Sequence, residues 1–288
     1  MKGLLGSVTF EPKLNRKFRL LMTQICKISI VTPSLNQAAF IERTIRSVLT
    51  QQVDKSVEHI VVDGGSTDGT IEILERFSQN IRFTSETDRG MSDALNKGFS
   101  LCSGEIIGWL NSDDLYLPGT LQKVADFFSN HPDCMWLYGN CRMVDEHDNE
   151  IRKWITAYKI RKSAVFSFKR LLVENFISQP TVFFRRIALE QAGPVDINLP
   201  TAMDYDLWLR LAKLGKPGFI NDFLASFRVH RGSISARSYR KQFEEQYLIH
   251  KRYDQNKLLL LKHRIMISLI VSVYSAMNLN FNFKKLPH

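Results

Sequence analysis

At 288 residues and 44% hydrophobic content, the chain is long and apolar enough to bury one large core, and it shows neither an internal repeat nor a low-complexity linker. Its four cysteines, Cys26, Cys102, Cys134 and Cys141, lack the paired spacing of a cysteine-ligated metal centre, and Cys102 follows a helical run where burial is the ordinary reading. The net charge of +10 is uneven: Arg231 to His288 holds 11 Lys and Arg against 3 acids, while Met1 to His230 holds 28 against 26. No zinc-finger or RNP signature accompanies the basic tail, so nucleic acid is not an expected partner.

Residues 1–26 read as an N-terminal extension with no apolar stretch of signal-peptide length, and a reduced, cytoplasmic location is expected. Ile28 to Thr32 reads as a buried strand and Ala39 to Leu49 as a helix. His59 to Val62, a second strand, runs into Asp63-Gly64-Gly65-Ser66-Thr67-Asp68-Gly69-Thr70. Gly64 and Gly69 have the spacing of a phosphate-binding P-loop, but Thr70-Ile71 stands where Lys-Ser/Thr is required, and the dinucleotide pattern G-x-G-x-x-G is also absent. What remains is an acidic turn before a helix over Ile71 to Phe77, with a carboxylate able to accept hydrogen bonds from a base N–H or ribose hydroxyls. Ile81 to Thr84 and Glu105 to Leu110 supply further strands, and Ser92 to Leu101 and Leu121 to Phe128 further helices. This alternation predicts an α/β fold with a mostly parallel sheet covered by helices.

The strand Glu105 to Leu110 stops in Asn111-Ser112-Asp113-Asp114. Carboxylates at the end of an apolar strand put hard oxygen ligands at the sheet edge where open α/β folds bind ligands, which points to a metal and a phosphate. The same residues also suit a turn that caps the next helix. Asp204 and Asp206 open a helical segment over Tyr205 to Leu214, where acids also favour the helix dipole. His230 follows Phe227-Arg228-Val229 at the end of a short strand, where an imidazole serves equally as a metal ligand or as an ordinary surface or core residue.

VVDGGSTDGT, SETDRGMSDALNKG (Ser85 to Gly98), GEIIGWLNSDD (Gly104 to Asp114) and MDYDLWLRLAK (Met203 to Lys213), in that order, resemble the inverting family 2 glycosyltransferases of the GT-A (Rossmann-like) fold. The resemblance covers residues 27–235. It implies that Thr32, Pro33 and Asn36 line the base and ribose pocket, that Asp63 holds the uracil or ribose, and that Asp93 and Lys97 face the nucleotide sugar. It further implies that Asp113 and Asp114 hold Mn2+ or Mg2+ on the donor diphosphate, with His230 joining the metal or pyrophosphate, and that Asp204 is the catalytic base, with Asp206 in support. Asn111 stands where the family often has Asp, and Met203 replaces a Glu. The reaction implied is metal-dependent transfer from a nucleotide-sugar donor, a UDP-sugar, to a glycan or lipid-linked acceptor. A sugar-phosphate nucleotidyltransferase would share the strand-ending carboxylates but needs a basic glycine-rich loop, which Pro33-Ser34-Leu35-Asn36 does not supply. A non-catalytic nucleotide-sugar or glycan-binding module is the other class in play.

Residues 236–288 read as a basic, apolar helical extension. Its run Ile265 to Met277 is shorter than the ~20 residues needed to cross a bilayer. It is expected to lie on an anionic membrane surface or to pack on the catalytic domain or a partner subunit.

Overall fold

Strand β1 (Lys27–Ser34) shows how the sequence divides the core. With side chains alternating between faces, Ile28 and Ile30 enter one buried cluster and Val31 the other. The same two-residue period recurs in β4 (Ile106–Trp109), β6 (Trp136–Val144) and β8 (Phe183–Arg185), where Ile107, Trp136, Tyr138 and Phe184 face one cluster and Ile106, Leu137 and Phe183 the other. Both faces are therefore buried, which is why these strands carry continuous apolar runs rather than polar alternation. The computed structural model describes residues 27–233 and 237–283, with side chains described to residue 275. The expected N-terminal extension, the domain limit at Ser235, and Lys284 and Lys285 lie outside the described residues.

Strands β2 (Ser56–Asp63) and β3 (Arg82–Ser85) join β1 and β4 in a parallel half-sheet of order β3-β2-β1-β4. Helices α1 (Ile41–Leu49), α2 (Thr70–Arg76), α3 (Met91–Ser100) and α4 (Thr120–Asn130) follow the expected helical runs within two residues at each end. The second half of the sheet is mixed. β8 is antiparallel to both β4 and β6, β9 (Gly218–Arg228) runs parallel to β6, and the short β5 (Leu115–Tyr116) is antiparallel to β9. The stretch between Trp136 and Ile177 also contains β7 (Glu150–Ile151), α5 (Lys153–Ser163) and α6 (Phe168–Val173). A 3-10 turn at Gln179–Thr181, α7 (Arg186–Ala192) and α8 (Met203–Leu214) complete this half.

Registry fixes the site. Ser34 pairs with Asp63, Val31 with Trp109, and Asp63 with Ser85, so the loops after β1, β2 and β4 open on one edge of the sheet.

Beyond β9, α9 (Tyr239–Tyr253) and α10 (Lys257–Phe283) form a helix pair. Glu245 of α9 accepts the N–H groups of Thr201 and Ala202 at 3.0 Å each, capping the start of α8 from outside. The expectation that the tail is too short to span a bilayer is corrected. Lys262 and Arg264 stand on the helix without interrupting it, and Lys257–Ser275 has the length and mean hydropathy (1.5) of a membrane span.

Gly98 of α3 tests the close packing of helix on sheet. A Cβ there would overlap Val31 Cγ1 and stand 3.3 Å from Val62 Cγ2. Gly98→Ala should therefore destabilise by roughly 1–3 kcal/mol in urea unfolding, although alanine favours a helix by about 1 kcal/mol. A stabilised variant would show that α3 stands farther from β1 than described.

Candidate active site

The loops at the sheet edge and the start of α8 enclose a cleft of about 470 Å³. Pro33, Asn111, Asp113, Gln179, Met203 and Asp204 are among its walls. Of the expected site residues, the cleft thus brings together Pro33, Asp113 and Asp204.

Asp113 and Asp114 are adjacent in sequence but differently employed. Asp113 Oδ2 lies 2.9 Å from His230 Nε2, and the imidazole packs against the Phe40 ring at a centroid distance of 4.5 Å. Asp114 is fully buried, and its Oδ1 accepts the Arg228 backbone N–H at 2.8 Å. Its other oxygen has no partner among the described residues, and it lies toward Tyr116 and Cys141, whose side chains belong to the cluster on the other face of the sheet. Burial, and then the charge of Asp113, push the Asp114 carboxyl well above the usual carboxylate range. Arg228 completes the assembly: its Nε donates to the Asp113 carbonyl at 2.8 Å, and its guanidinium lies over Phe40.

Asp63 is the organiser of its own loop. Its Oδ2 accepts the N–H of Gly65 (3.0 Å), the N–H of Ser66 (2.8 Å) and the Ser85 hydroxyl (2.8 Å), and its Oδ1 accepts the Ser66 hydroxyl. Asn36, at φ 53°, donates its N–H to Ser66 Oγ and accepts the Thr67 N–H on Oδ1, bracing the β1 loop against the β2 loop. Thr32 is buried and bonded to His59 at 2.9 Å, and burial lowers the His59 pKa to about 3. Asp93 accepts from the Arg89 backbone and guanidinium, and Lys97 pairs with Glu86 at 2.8 Å. These residues shape the loops around the cleft rather than its wall. Gly64 has a steric role here, since a Cβ would come within 2.8 Å of Asp88 Oδ2.

Asp204 sits in the first turn of α8, with Asn175 Nδ2 3.4 Å from Oδ2 and, among the described residues, no partner on Oδ1. Burial raises its pKa to about 6, against the restraining Tyr205 N–H bond and the positive charge of Lys159. Lys159 of α5 is itself held below the usual lysine range by burial, and it bonds Ser178 Oγ at 3.3 Å. Asp206 is turned elsewhere, to Arg210 at 2.9 Å and Tyr253 at 3.2 Å, so it gives Asp204 no direct support.

Two wall residues, Gln179 and Trp109, make contacts that the sequence reading did not assign. Gln179 donates Nε2 to the Trp109 carbonyl at 2.6 Å, and Trp109 Nε1 donates to Asn111 Oδ1 at 2.8 Å. Asn111 therefore answers an indole N–H, a role for which a neutral amide oxygen suffices. Nothing in the local pattern of Ser178-Gln179-Pro180 signals this contact, which depends on β8 pairing with β4.

The charged side chains on the cleft wall, among the described residues, are Asp88, Asp113, Asp204 and Arg89, and Arg89 is paired with Asp93. Such a wall carries more negative than positive charge, so a divalent ion would favour the approach of a diphosphate. No three His, Cys, Asp or Glu side chains converge to cage a metal among the described residues. The Asp113 carboxylate and His230 imidazole fit a divalent ion that takes its remaining ligands from phosphate oxygens and water.

Comparison with known proteins gives the family and the fold. The model of the family described as Glycosyl transferase family 2 matches residues 29–192. A PGL/p-HBAD biosynthesis glycosyltransferase of Mycobacterium bovis is 31% identical over 187 residues, covering 63% of this chain and 68% of that protein. An uncharacterized glycosyltransferase of Rickettsia conorii is 27% identical over 212 residues, 70% of this chain but only 34% of the relative's own length. In fold, TarS 1–349 of S. aureus in complex with UDP-GlcNAc superposes with a TM-score of 0.64 at 20% identity, over 77% of this chain and 65% of that one. The mannosyltransferase PcManGT of Pyrobaculum calidifontis, in complex with GDP-Man and Mn2+, gives 0.60 at 19% identity, over 90% and 82%.

The two buried carboxylates should respond oppositely to neutralisation. Asp63→Ala orphans two backbone N–H groups and two hydroxyls and should cost roughly 2–4 kcal/mol in urea unfolding. Asp114→Asn keeps an oxygen for the Arg228 N–H and removes a buried acid, so its unfolding midpoint should equal or exceed that of the wild type. A large loss in Asp114→Asn would mean that the carboxylate charge itself holds the loop.

Proposed function

The chain belongs to glycosyl transferase family 2, and from that premise we propose that it moves a sugar from a nucleoside-diphosphate donor to an acceptor hydroxyl by single displacement with inversion. The observation that carries this reading is one cleft walled by both Asp113, paired with His230, and Asp204 with its raised pKa. The donor is a UDP-linked hexose or N-acetylhexosamine, and the acceptor a glycan or a lipid-linked saccharide of cell-surface polysaccharide synthesis.

In the reaction, the Asp204 carboxylate takes the proton of the acceptor hydroxyl as its oxygen bonds to the anomeric carbon. The bond from that carbon to the diphosphate breaks on the opposite side, which inverts the centre. A base with a pKa near 6 suits this task, being largely ionised at neutral pH yet more basic than an exposed aspartate. Asp113 and His230 are the residues that would hold Mn2+ or Mg2+, with Asp114 behind them fixing the loop to β9. A bound divalent ion offsets the charge that builds on the leaving diphosphate. Pro33 forms part of the donor wall, while Asp63, Thr32 and Asn36 give the nucleotide loops their shape. Asp93 and Lys97 steady Arg89 and Glu86 beside the sugar end.

Asp204→Asn should lower kcat by about 10²–10⁴-fold while leaving the donor KM within a few fold, measured as nucleotide release with a competent donor and acceptor pair. Because the active form is the carboxylate, wild-type kcat/KM should fall about tenfold per pH unit below pH 6, and the residual rate of Asp204→Asn should lose that acid limb. Unchanged turnover in Asp204→Asn would remove Asp204 from the chemistry and favour a different base. A binding module would give nucleotide affinity with no release in any variant.

A further inference from the structure

Two helices outside the cleft present exposed faces of one chemical kind. On α10, Leu258, Leu261, Ile265, Leu269 and Val273 are each 40% exposed or more, and their spacing of three or four residues puts them on one stripe. Lys257, Lys262 and Arg264 are exposed on the same helix. On α5, Trp154 and Tyr158 are exposed one turn apart, with Lys153 and Arg161 exposed beside them. Neither α5 nor Lys257–Ser275 contains an acid.

The two helices meet at the end of α6, where the Tyr158 hydroxyl of α5 lies 3.0 Å from Glu174 Oε2. One residue earlier, the Val173 carbonyl lies 2.9 Å from Nδ1 of the buried His263 of α10.

We propose that the exposed faces of α5 and α10 together dock the enzyme on an anionic lipid bilayer, with α10 lying along the interface rather than crossing it. Aliphatic side chains flanked by Lys and Arg, with Trp and Tyr alongside, are the composition of a helix seated between headgroups and acyl chains. The inner side of α10 is already engaged: His263 stacks on Tyr247 and meets His250 edge-on, and Tyr274 stacks on Tyr239. Crossing would break these contacts and carry Lys262, His263 and Arg264 into hydrocarbon. A second copy of the chain is a poorer occupant, because a two-fold contact would bring these cations against their own counterparts with no acid to answer them.

The surface is joined to the cleft through α5 and through α9, which packs on the inner side of α10. Lys159, on α5, contributes positive charge to Asp204, and Glu245 of α9 holds the turn that precedes it. For the consequence that a lipid-linked acceptor reaches Asp204 at headgroup level, the proposal rests on the transfer reading; for membrane binding it does not.

The test uses the full chain with phosphatidylcholine vesicles, with and without phosphatidylglycerol, and no donor or acceptor. Co-sedimentation should require the anionic lipid, weaken with salt, and fall about fivefold for each cation reversed or removed in Lys262→Glu/Arg264→Glu. Trp154 is the exposed tryptophan, since Trp109, Trp136 and Trp208 are buried. Intrinsic fluorescence should therefore shift to the blue on vesicle addition, and the shift should vanish in Trp154→Phe. Leu261→Glu/Leu269→Glu alters only exposed positions and should release the protein from vesicles with its thermal unfolding unchanged. Protein that stays in the supernatant with anionic vesicles overturns the proposal. So does a concentration-dependent dimer that Leu261→Glu/Leu269→Glu dissociates, which would assign the face to a second copy.

Discussion

A hydrogen bond across 114 residues of chain, from the Arg228 backbone N–H to the buried Asp114 carboxyl, anchors the junction between the two halves of this site. Through it the last strand of the sheet is held against the loop that ends β4, and the Arg228 guanidinium seals the same loop from behind by donating to the Asp113 carbonyl. Two residues on, His230 arrives beside Asp113. Burying an acid to make such a link is costly, and the raised pKa of Asp114 records that cost. Its return is positional: the neighbouring Asp113 is left facing the cleft with an imidazole at its side.

The second constraint is charge. A wall carrying Asp88, Asp113 and Asp204 with one already paired arginine repels polyanions, yet family membership assigns the chain to glycosyl transfer. The two facts are compatible if the donor's diphosphate enters with a divalent ion, whose protein ligands need number only one or two. Burial in the same cleft raises Asp204 to about 6, the range suited to the base role proposed for it.

Much of the parallel half-sheet was legible in the sequence, because β1, β2 and β4 are short, apolar, and end in recognisable acidic or small-residue loops. The same patterns marked Asp113, Asp204 and His230, which the fold brings to one region. The mixed half was not legible. β6 and β9 are sequence-distant partners with a register shift between Gly139 and Cys141, and no local period announces such pairing. For the same reason the roles of Gln179 and Arg228 were not legible, since they depend on β8 against β4 and on β9 reaching Asp114. Two adjacent aspartates also read alike in sequence, and only burial separates the one in the cleft from the one beneath it. The C-terminal helix was misjudged in length because charges were counted as ends, whereas Lys262 and Arg264 stand on an uninterrupted helix.

In the proposed reaction Asp113, with His230, is the point at which metal and diphosphate are received. Calorimetric titration of UDP, GDP and their sugar derivatives, with and without Mn2+, on the wild type, Asp113→Asn and Asp114→Asn tests it directly. One nucleotide should bind in a metal-dependent manner, with that dependence lost in Asp113→Asn and kept in Asp114→Asn. Binding that is indifferent to Mn2+, or equally impaired by both substitutions, would contradict the separation of roles on which this account stands.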